Sequence, residues 1–230
     1  FDALVRQLDS RASYISDFAA NISHEFKTPL TSIRGAAELL ADGADDDPDA
    51  RQRFLHNIQK DVDRLDRLVS RILELSRIEA TLERQPRTRH DLRESIHTLA
   101  EAFADSAVQV RVGDAHELSV VANRPHIESA LRALVENAVR HSPEPGSVAI
   151  EGKRDPGGQV RIRVVDQGPG ISAANQAKVF QRFFTTEAAR GGTGLGLAIV
   201  EVVARAHGGQ VALRSAPGQG CTFELVLPGP

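Results

Sequence analysis

The sequence predicts an all-α part followed by an α+β part: an antiparallel helical hairpin, then an α/β sandwich whose sheet is mostly antiparallel. Apolar residues recur at spacings of three and four through residues 1–41 and again through 50–78, which is typical of amphipathic helices. A polar stretch without an apolar period follows at 81–90, and beyond it short strand patterns alternate with helical ones. We therefore expect a helical domain over residues 1–80, a linker over 81–90 and an α/β domain over 91–230.

The first helix should present one histidine to solvent. Its apolar stripe includes Ile22 and Phe26, and His24 lies two residues from each. At about 100° per residue, this spacing places His24 roughly 200° from both, on the polar face. Pro29 lies inside the pattern and should bend the helix or loosen its hydrogen bonding one turn back, at Glu25.

The second helix should follow a turn over Ala41–Asp49, in which Gly43 ends the first helix and Pro48 opens the next. Its apolar positions form heptads, which are typical of a coiled-coil seam. Two helices cannot bury stripes this broad against each other, so we expect two chains to form a dimeric four-helix bundle. The heptad positions are Leu55, Ile58, Val62, Leu65, Val69 and Ile72.

The part after the linker should contain three helices and six short strands, joined by turns rich in glycine and proline. A long irregular segment over 167–192 should precede the last helix. The strands should make a mostly antiparallel sheet with the helices on one face. The predicted helices are 91–104, 125–141 and 195–207, and the predicted strands are 108–112, 118–121, 148–152, 160–166, 210–214 and 222–227.

Composition narrows the functional class. The chain has 230 residues, a net charge of -3 and 4% aromatic residues with no Trp, so nothing favours a nucleic-acid surface. Its single cysteine, Cys221, excludes an intrachain disulfide and suits a reducing compartment. The sequence has no run of about 18 apolar residues that could span a bilayer. Because the chain opens at Phe1 inside a helical pattern, we expect a fragment whose sensory or membrane segments lie upstream.

Two glycine segments have the composition of nucleotide-binding loops. Residues 191–197 (GGTGLGL) run into a helix, where backbone N–H groups and the helix dipole favour phosphate; a structural turn is the equal alternative. Residues 166–170 (DQGPG) end a strand, where the Asp166 carboxylate can accept a hydrogen bond from a nucleobase amine. An ordinary turn capped by aspartate is the alternative for this second segment.

Two further positions suit phosphoryl chemistry. Asn137 lies in mid-helix, where its carbonyl oxygen suits Mg²⁺, and Arg140 can meet a phosphate; a solvated polar face is the alternative. Glu25 follows His24 directly and can hydrogen-bond one ring nitrogen, which leaves the other nucleophilic. The alternative there is an exposed histidine without a role.

Five motifs, in this order and over nearly the whole chain, resemble those of the sensor histidine kinases of two-component signalling. The phospho-acceptor motif is 23–30 (SHEFKTPL), and the asparagine motif is 134–142 (LVENAVRHS). The glycine motifs are 166–170 and 192–197, and the phenylalanine motif between them is 179–184 (VFQRFF). The resemblance implies a dimeric histidine-phosphotransfer hairpin followed by an ATP-binding domain of the gyrase, Hsp90, histidine kinase and MutL type.

The resemblance also implies a role for each motif residue. His24 would be the phospho-acceptor, Glu25 the base that orients it, and Thr28 the residue that positions water for phosphatase activity. Asn137 would hold Mg²⁺, and Asp166 would bind the adenine amine. The other expected nucleotide-binding residues are Arg140, His141, Gly168, Gly170, Gly192, Thr193, Gly194, Leu195, Gly196 and Leu197, and the expected anchors of the nucleotide lid are Phe180 and Phe183.

The implied activity is ATP-dependent autophosphorylation on His24, with ATP and Mg²⁺ as cofactors, followed by transfer to an aspartate of a response-regulator receiver domain, with phosphatase activity toward that regulator. The implied protein is a homodimer that does not bind nucleic acid. It would be the cytoplasmic portion of an inner-membrane sensor and would reach the membrane only through segments outside this sequence. Ala133 departs from the family pattern, since many relatives have a second asparagine there and related ATPases have a glutamate that activates water. This departure argues against simple ATP hydrolysis and predicts weaker metal binding.

Two rival functions stay open at this point: an ATPase switch or chaperone with the same nucleotide-binding fold, and a degenerate kinase that serves as a dimeric scaffold. Ala133 and the phospho-acceptor motif count against the first, and the intact glycine motifs and Asn137 count against the second. A kinase that acts mainly as a phosphatase through Thr28 is a third interpretation.

Overall fold

The structure is a computed structural model that describes residues 2–42, 47–81, 86–187 and 192–230. Close contacts divide the chain into two compact units: Phe1–Ile72 with Thr186–Thr193, and Leu73–Thr185 with Gly194–Pro230. Within the described ranges, no helix combines the length and the apolar character needed to cross a membrane.

Two long helices dominate the first unit. Helix α1 spans Asp2–Ala41 and α2 spans Pro48–Thr81, so both predicted helices are confirmed and Pro48 opens the second as expected. The carboxylate of Asp47 accepts hydrogen bonds from two backbone N–H groups in the first turn of α2, at 2.9 and 3.2 Å. It thereby satisfies donors that have no partner inside the helix. Residues 43–46 of the predicted turn, with Gly43, lie outside the described residues.

The apolar stripe of this hairpin is wider than the face that its two helices bury. Ala36 and Leu68 are buried, and so is Pro29, which α1 accommodates without ending. Three of the six predicted heptad positions and two leucines of α1 are exposed by 40% or more, because two helices in contact share only one face. The exposed residues are Leu30, Leu39, Leu55, Val62 and Val69.

The second unit is an α/β structure that begins with the last turns of α2. Its further elements are, in chain order, β1 (Thr88–Asp91), α3 (Leu92–Glu101), β2 (Val108–His116), β3 (Ser119–Ala122), α4 (Arg124–His141), β4 (Gly146–Arg154), β5 (Val160–Val165), α5 (Ala173–Gln176), α6 (Gly196–Ala206), β6 (Gln210–Ser215) and β7 (Cys221–Leu227). The main sheet has the strand order β2-β4-β5-β7-β6, and a separate sheet pairs β1 with β3. In the main sheet only β2 and β4 are parallel, so the predicted mostly antiparallel sheet is confirmed.

One face of the main sheet is apolar, and the helices pack against it. Val160 and Ile162 on β5 are fully buried, and α4 and α6 contact each other and this sheet. The opposite face of β5 and β7 carries a charged cluster, in which Glu224 accepts hydrogen bonds from Arg161 at 2.9 Å and from Arg163 at 2.6 Å. The helices therefore cover one face of the sheet, as predicted.

Strand β1 is an element that the sequence did not predict. Three of its four residues lie in the segment 81–90, which we predicted as a linker. The strand pairs antiparallel with β3 in a register that places Thr88 opposite Ala122. The sequence TRHD has no apolar alternation, so this strand depends on a partner that is distant in sequence. Residues 82–85 of the same segment lie outside the described ranges.

The last turns of α2 pack inside the second unit, where Leu75 and Ile78 are buried. Polar side chains join these turns to α4 and to the segment after α5: Glu74 with Ser129, Glu79 with Arg182, and Thr81 with His126. The apolar stripe of α2 therefore contributes to two separate cores.

We expect Gly220→Ala, in the turn between β6 and β7, to destabilise the second unit strongly. Gly220 has a φ of 70°, and a Cβ there would overlap the carbonyl oxygen of Asp166. The left-handed strain and the overlap together should lower the free energy of unfolding by about 3 kcal/mol. Urea denaturation followed by circular dichroism measures this loss.

Gly218→Ala is the matched control in the same turn. Gly218 also has a positive φ, 78°, but no atom lies within 4 Å of a Cβ built there. Gly218→Ala should therefore lower the free energy of unfolding by only about 1–2 kcal/mol, which is the cost of the left-handed backbone conformation. Equal losses for the two variants would contradict the close approach of Gly220 to Asp166.

Candidate functional site

The first candidate site lies on α1, in the first unit. The side chain of His24 is 80% exposed, as the helical spacing predicted. Glu25 is 17% exposed, and its Oε1 lies 3.9 Å from Nδ1 of His24. This separation is longer than a hydrogen bond, so the carboxylate faces the ring nitrogen without binding it in this conformation.

Helix α2 supplies a partner for Glu25 that sequence analysis missed. Nη2 of Arg64 donates a hydrogen bond to Oε2 of Glu25 at 2.9 Å, and only 12% of the arginine side chain is exposed. The attraction between two charges with so little solvent is less screened than at the surface, and removal of either partner would leave the other charge uncompensated. In the sequence, Arg64 is visible only as a charged residue directly before the heptad position Leu65. The heptad pattern does not show that its partner is Glu25, 39 positions away.

Thr28 is exposed one turn after His24 on the same helix. Its hydroxyl lies 3.5 Å from the carbonyl oxygen of His24, at the limit of hydrogen bonding to its own helix. Thr28 also lines a groove between α1 and α2 with Ser32, Asn57, Lys60, Asp61, Arg64 and Arg67. The groove therefore adjoins the pair of Glu25 and Arg64.

The second candidate site is centred on Asp166, directly after β5. This residue is 3% exposed, and its Oδ1 accepts hydrogen bonds from the backbone N–H groups of Gly168 at 2.8 Å and Cys221 at 3.0 Å. Oδ1 thus caps the turn, in agreement with the alternative of an ordinary turn capped by aspartate. Oδ2 is also buried, and it has no partner in the described part of the chain. A buried acceptor is costly without a donor, so this atom marks a position where a ligand donor would bind favourably.

Burial raises the pKa of Asp166 above its ordinary range. The N–H groups of Gly168 and Cys221 and the nearby ring of His141 oppose this rise. Burial likewise raises the pKa of the Cys221 thiol. A further hydrogen-bond donor at Oδ2 would stabilise the ionised form of Asp166.

Glycines allow separate backbone segments to meet around Asp166. A Cβ at Gly168 would lie 2.8 Å from the carbonyl oxygen of His141 and 2.9 Å from Oδ1 of Asp166. Gly170 has a φ of 73°, and a Cβ there would overlap the carbonyl group of Ala216 after β6. The first glycine motif is therefore held between the end of α4 and the turn from β6 to β7, where a larger residue does not fit.

The second glycine motif contacts the phenylalanine motif. The N–H of Phe183 donates to the carbonyl oxygen of Gly194 at 2.9 Å, and these residues have positive φ angles of 61° and 65°. A Cβ at Gly194 would overlap the backbone of Phe183. The ring of Phe180 meets the buried ring of Phe223 on β7 edge-on, with the ring centroids 6.3 Å apart. These two contacts attach the irregular segment to the sheet and to the residues before α6.

Helix α4 carries Asn137, Arg140 and His141 in its last turns. Arg140 is exposed, whereas Asn137 and His141 are partly exposed. Ala133, one turn earlier, is buried, and a Cβ at Gly196 would lie 3.9 Å from its Cβ. The position that departs from the family pattern is therefore a packing contact between α4 and α6 in this chain.

The remaining predicted residues lie at or before the start of α6. Leu195 is buried, and Gly196–Leu197 open the helix. Gly192 and Thr193 fall in the first unit, where the N–H of Gly192 donates to the carbonyl oxygen of Glu187 at 3.1 Å. The described residues of the second unit thus bring Asp166 together with the first glycine motif and the end of α4.

Among the described residues, no group of three or more His, Cys, Asp or Glu side chains could hold a metal ion. Asn137 offers an amide oxygen, a ligand that Mg²⁺ accepts when phosphate oxygens and water complete its coordination shell. The donor chemistry of this chain therefore fits Mg²⁺ that arrives with a nucleotide.

Two family models match the chain in series. The His Kinase A (phospho-acceptor) domain matches residues 14–81, and the histidine kinase-, DNA gyrase B- and HSP90-like ATPase matches residues 122–230. The first match contains His24, and the second contains Asp166 together with both glycine motifs.

Named relatives agree with these matches. The chain is 39% identical over 221 residues to the sensor-like histidine kinase SenX3 of Mycobacterium tuberculosis, which covers 92% of this chain and 53% of SenX3. The chain thus spans about half the length of the curated relatives that it matches. The solved structure of the mycobacterial sensor histidine kinase MprB is similar at 30% identity and a TM-score of 0.57, over 62% of this chain and 97% of that chain. The structure of the histidine kinase ThkA in complex with the response regulator protein TrrA is similar at 27% identity and a TM-score of 0.75, over 96% of this chain and 64% of that chain.

The resemblance inferred from the five motifs is confirmed by these comparisons. Both family models match in the order in which the motifs occur, and they cover the two kinds of fold that the sequence predicted. SenX3 and ThkA each match more than nine-tenths of this chain, and both are named as histidine kinases. On this evidence the chain belongs to the sensor histidine kinase family of two-component systems.

Proposed function

We propose that this chain phosphorylates His24 with ATP and passes the phosphoryl group to an aspartate of a response-regulator receiver domain. The observation that carries the proposal is the placement of His24, 80% exposed and 3.9 Å from a carboxylate that Arg64 holds. An exposed imidazole can reach both a nucleotide and a partner protein, and a fixed carboxylate can orient it. Family membership supports the kinase role, and the complex of ThkA with TrrA supports a response regulator as the partner.

The first chemical step is a phosphoryl transfer from ATP to the ring. Because Glu25 faces Nδ1, we assign the attack on the γ-phosphorus to Nε2 of His24. The bond between Nε2 and phosphorus forms while the bond to the bridging oxygen of ADP breaks, and ADP leaves with that electron pair. The proton on Nδ1 is shared with Glu25, which offsets the positive charge that develops on the ring.

The second step returns the ring to its starting state. A carboxylate oxygen of the regulator's aspartate attacks the phosphorus of phosphohistidine, and the bond between nitrogen and phosphorus breaks. The exposure of His24 favours this step, because a second protein must approach the same atom that met the nucleotide.

Nucleotide binding is assigned to the second unit. Oδ2 of Asp166 would accept a hydrogen bond from the adenine amine, which supplies the donor that this buried atom lacks among the described residues. Arg140 and His141 would meet the phosphates, and Phe180 and Phe183 would anchor the lid. Within this unit, the residues that would line the nucleotide are Gly168, Gly170, Gly194, Leu195, Gly196 and Leu197. Gly192 and Thr193 of the same glycine motif are proposed as nucleotide-binding residues from the family resemblance alone.

Mg²⁺ would be held by Asn137 together with the phosphates, where it offsets their negative charge. Ala133 offers neither a second ligand nor a carboxylate that could activate water. This favours transfer to histidine over hydrolysis, and so the kinase over the rival ATPase switch.

The hairpin would work as a homodimer. Leu55, Val62 and Val69 are exposed on one helix, and a four-helix bundle formed by two chains would bury them. Light scattering that gives the mass of two chains supports this arrangement, and a single-chain mass at micromolar concentration contradicts it.

Phosphatase activity toward the regulator is assigned to Thr28, which is exposed in the groove beside the Glu25 and Arg64 pair. Its hydroxyl would orient a water molecule toward the phosphorylated aspartate. In the whole protein this chain would be the cytoplasmic portion of an inner-membrane sensor.

We expect His24→Ala to abolish incorporation of γ-labelled phosphate from Mg-ATP, because the variant lacks the nucleophile. The label on the unmodified protein should be stable in alkali and labile in acid. His56→Ala is the matched control, since His56 is also exposed on the hairpin but has no proposed role. Equal labelling of His24→Ala and the unmodified protein would contradict the proposal.

We expect Asp166→Asn to weaken ATP binding about tenfold to 100-fold with little change of shape, because an amide NH₂ would face the adenine amine. Calorimetry with ATP and with inosine triphosphate, which lacks that amine, measures the effect. The unmodified protein should prefer ATP, and Asp166→Asn should lose this preference. Retention of the preference by the variant would rule out Asp166 as the group that contacts the amine.

ATP affinity should also depend on pH through Asp166. Burial raises the pKa of this group. Oδ1 already accepts two N–H groups, so a proton would bind to Oδ2, which could then no longer accept a hydrogen bond from the amine. Affinity should therefore fall as pH drops through the raised pKa. The fall should begin at a higher pH than the titration of an ordinary aspartate, and Asp166→Asn should not show it.

We expect Thr28→Ala to keep autophosphorylation within about twofold and to slow dephosphorylation of a phosphorylated receiver domain about tenfold or more, because only the second reaction needs an oriented water. Ser32→Ala, in the same groove, serves as the comparison. Parallel loss of both activities in Thr28→Ala would indicate a structural role instead.

A further inference from the structure

The pair of Glu25 and Arg64 joins the two helices of the hairpin beside the reactive histidine. We infer that Arg64 is a positioning residue: it fixes Glu25 against His24 and thereby sets the nucleophilicity of the histidine, without contact to the nucleotide or to the reacting atoms. The inference rests on the proposed function where it is tested by phosphorylation of His24.

Arg64 uses one oxygen of Glu25 and leaves the other for the histidine. Nη2 of Arg64 lies 2.9 Å from Oε2, whereas Oε1 lies 3.9 Å from Nδ1 of His24. A shift of about 1 Å would bring Oε1 to hydrogen-bond distance of Nδ1. Since Oε2 is held, Glu25 is limited to conformations from which this short movement completes the bond.

The burial of the pair explains why Glu25 needs a cation. The side chains of Glu25 and Arg64 are 17% and 12% exposed, whereas that of His24 is 80% exposed. A carboxylate with so little solvent is stable only with a compensating charge. Without Arg64, Glu25 should turn toward water, and its oxygens would then no longer face Nδ1.

The guanidinium group suits this task better than an ammonium group. Its planar array of donors gives a hydrogen bond of defined direction, whereas lysine offers a point charge on a flexible stem. Arg64→Lys should therefore restore the charge but only part of the orientation. If Arg64 acts by orienting Glu25, Arg64→Lys should recover only part of the phosphorylation rate. If only its charge mattered, Arg64→Lys should recover the full rate.

A residue that acts only through Glu25 must lose its effect when Glu25 is changed. A double-mutant cycle therefore tests the inference, with the unmodified chain, Arg64→Ala, Glu25→Gln and the double variant. The measurements are the initial rate of phosphohistidine formation at saturating Mg-ATP and the KM for ATP. Arg53→Ala is the matched control, since Arg53 is an exposed arginine of α2.

We expect Arg64→Ala to lower kcat about tenfold to 100-fold, with KM for ATP unchanged within about twofold, because a small misplacement of an orienting group slows the chemical step. The double variant should match Glu25→Gln within about twofold. Arg64→Lys should recover part of the rate, and Arg53→Ala should match the unmodified chain. A full additional loss in the double variant would overturn the inference, and so would an unchanged rate in Arg64→Ala.

A second readout does not depend on ATP. Diethyl pyrocarbonate modifies imidazole nitrogen, and mass spectrometry of the His24 peptide gives the rate of its reaction. The same coupling is expected: modification of His24 should be slower in Arg64→Ala than in the unmodified chain, and no slower in the double variant than in Glu25→Gln. Modification that shows this coupling while no variant forms phosphohistidine would retain the inference and refute the proposed kinase activity. Modification that is equal in all variants would refute the inference itself.

Folding of the variants is checked independently. Arg64→Ala leaves a buried carboxylate without its partner, so its Tm should fall, whereas Arg64→Lys and the double variant should be less affected. If Arg64→Ala fails to fold, the comparison of Arg64→Lys with and without Glu25→Gln decides the question. In that comparison, a deficit of Arg64→Lys that persists beside Glu25→Gln overturns the inference.

Discussion

The burial of one carboxylate constrains the second unit more than any other interaction. Asp166 is almost inaccessible to solvent, and a carboxylate in that position is tolerated only when donors surround it. Two backbone N–H groups, from Gly168 and Cys221, come within 3.0 Å of Oδ1. Segments that approach so closely leave no room for side chains. Any residue with a Cβ in place of Gly168 or Gly220 would clash with neighbouring backbone atoms. The glycine motif and the last hairpin thus meet at one buried carboxyl group, whose second oxygen has no partner among the described residues.

In the first unit the central group of the candidate site is exposed, whereas in the second unit it is buried. Its proposed phospho-acceptor, His24, is 80% exposed, whereas the side chains of Glu25 and Arg64 are only 17% and 12% exposed. A nucleophile that must meet two partners in turn has to be accessible, whereas orientation requires groups that do not rotate freely. Exposure of the ring on α1 and the low exposure of the ion pair that links α1 to α2 together satisfy both requirements.

Helix α2 shows how one sequence pattern can serve two cores. Its apolar stripe runs without a break, yet Leu68 is buried in the first unit while Leu75 and Ile78 are buried in the second. A hydrogen bond between Thr81 and His126 holds the last turn within the second unit. The periodic pattern specifies that a face is apolar, but it does not specify which partner covers it.

Local sequence patterns were sufficient to predict the two kinds of fold, the long helices, the order of the strands along the chain and the exposure of His24, because periodicity and turn chemistry act over a few residues. The motifs, taken in order, also indicated the family. Three features could be seen only in the folded chain: β1 is a strand, Arg64 donates a hydrogen bond to Glu25, and the N–H of Cys221 donates to Asp166. Each of these depends on residues tens of positions apart, and no local preference specifies a partner at that distance. The polar contacts that define both sites therefore follow from how the elements pack, whereas the elements themselves follow from the sequence.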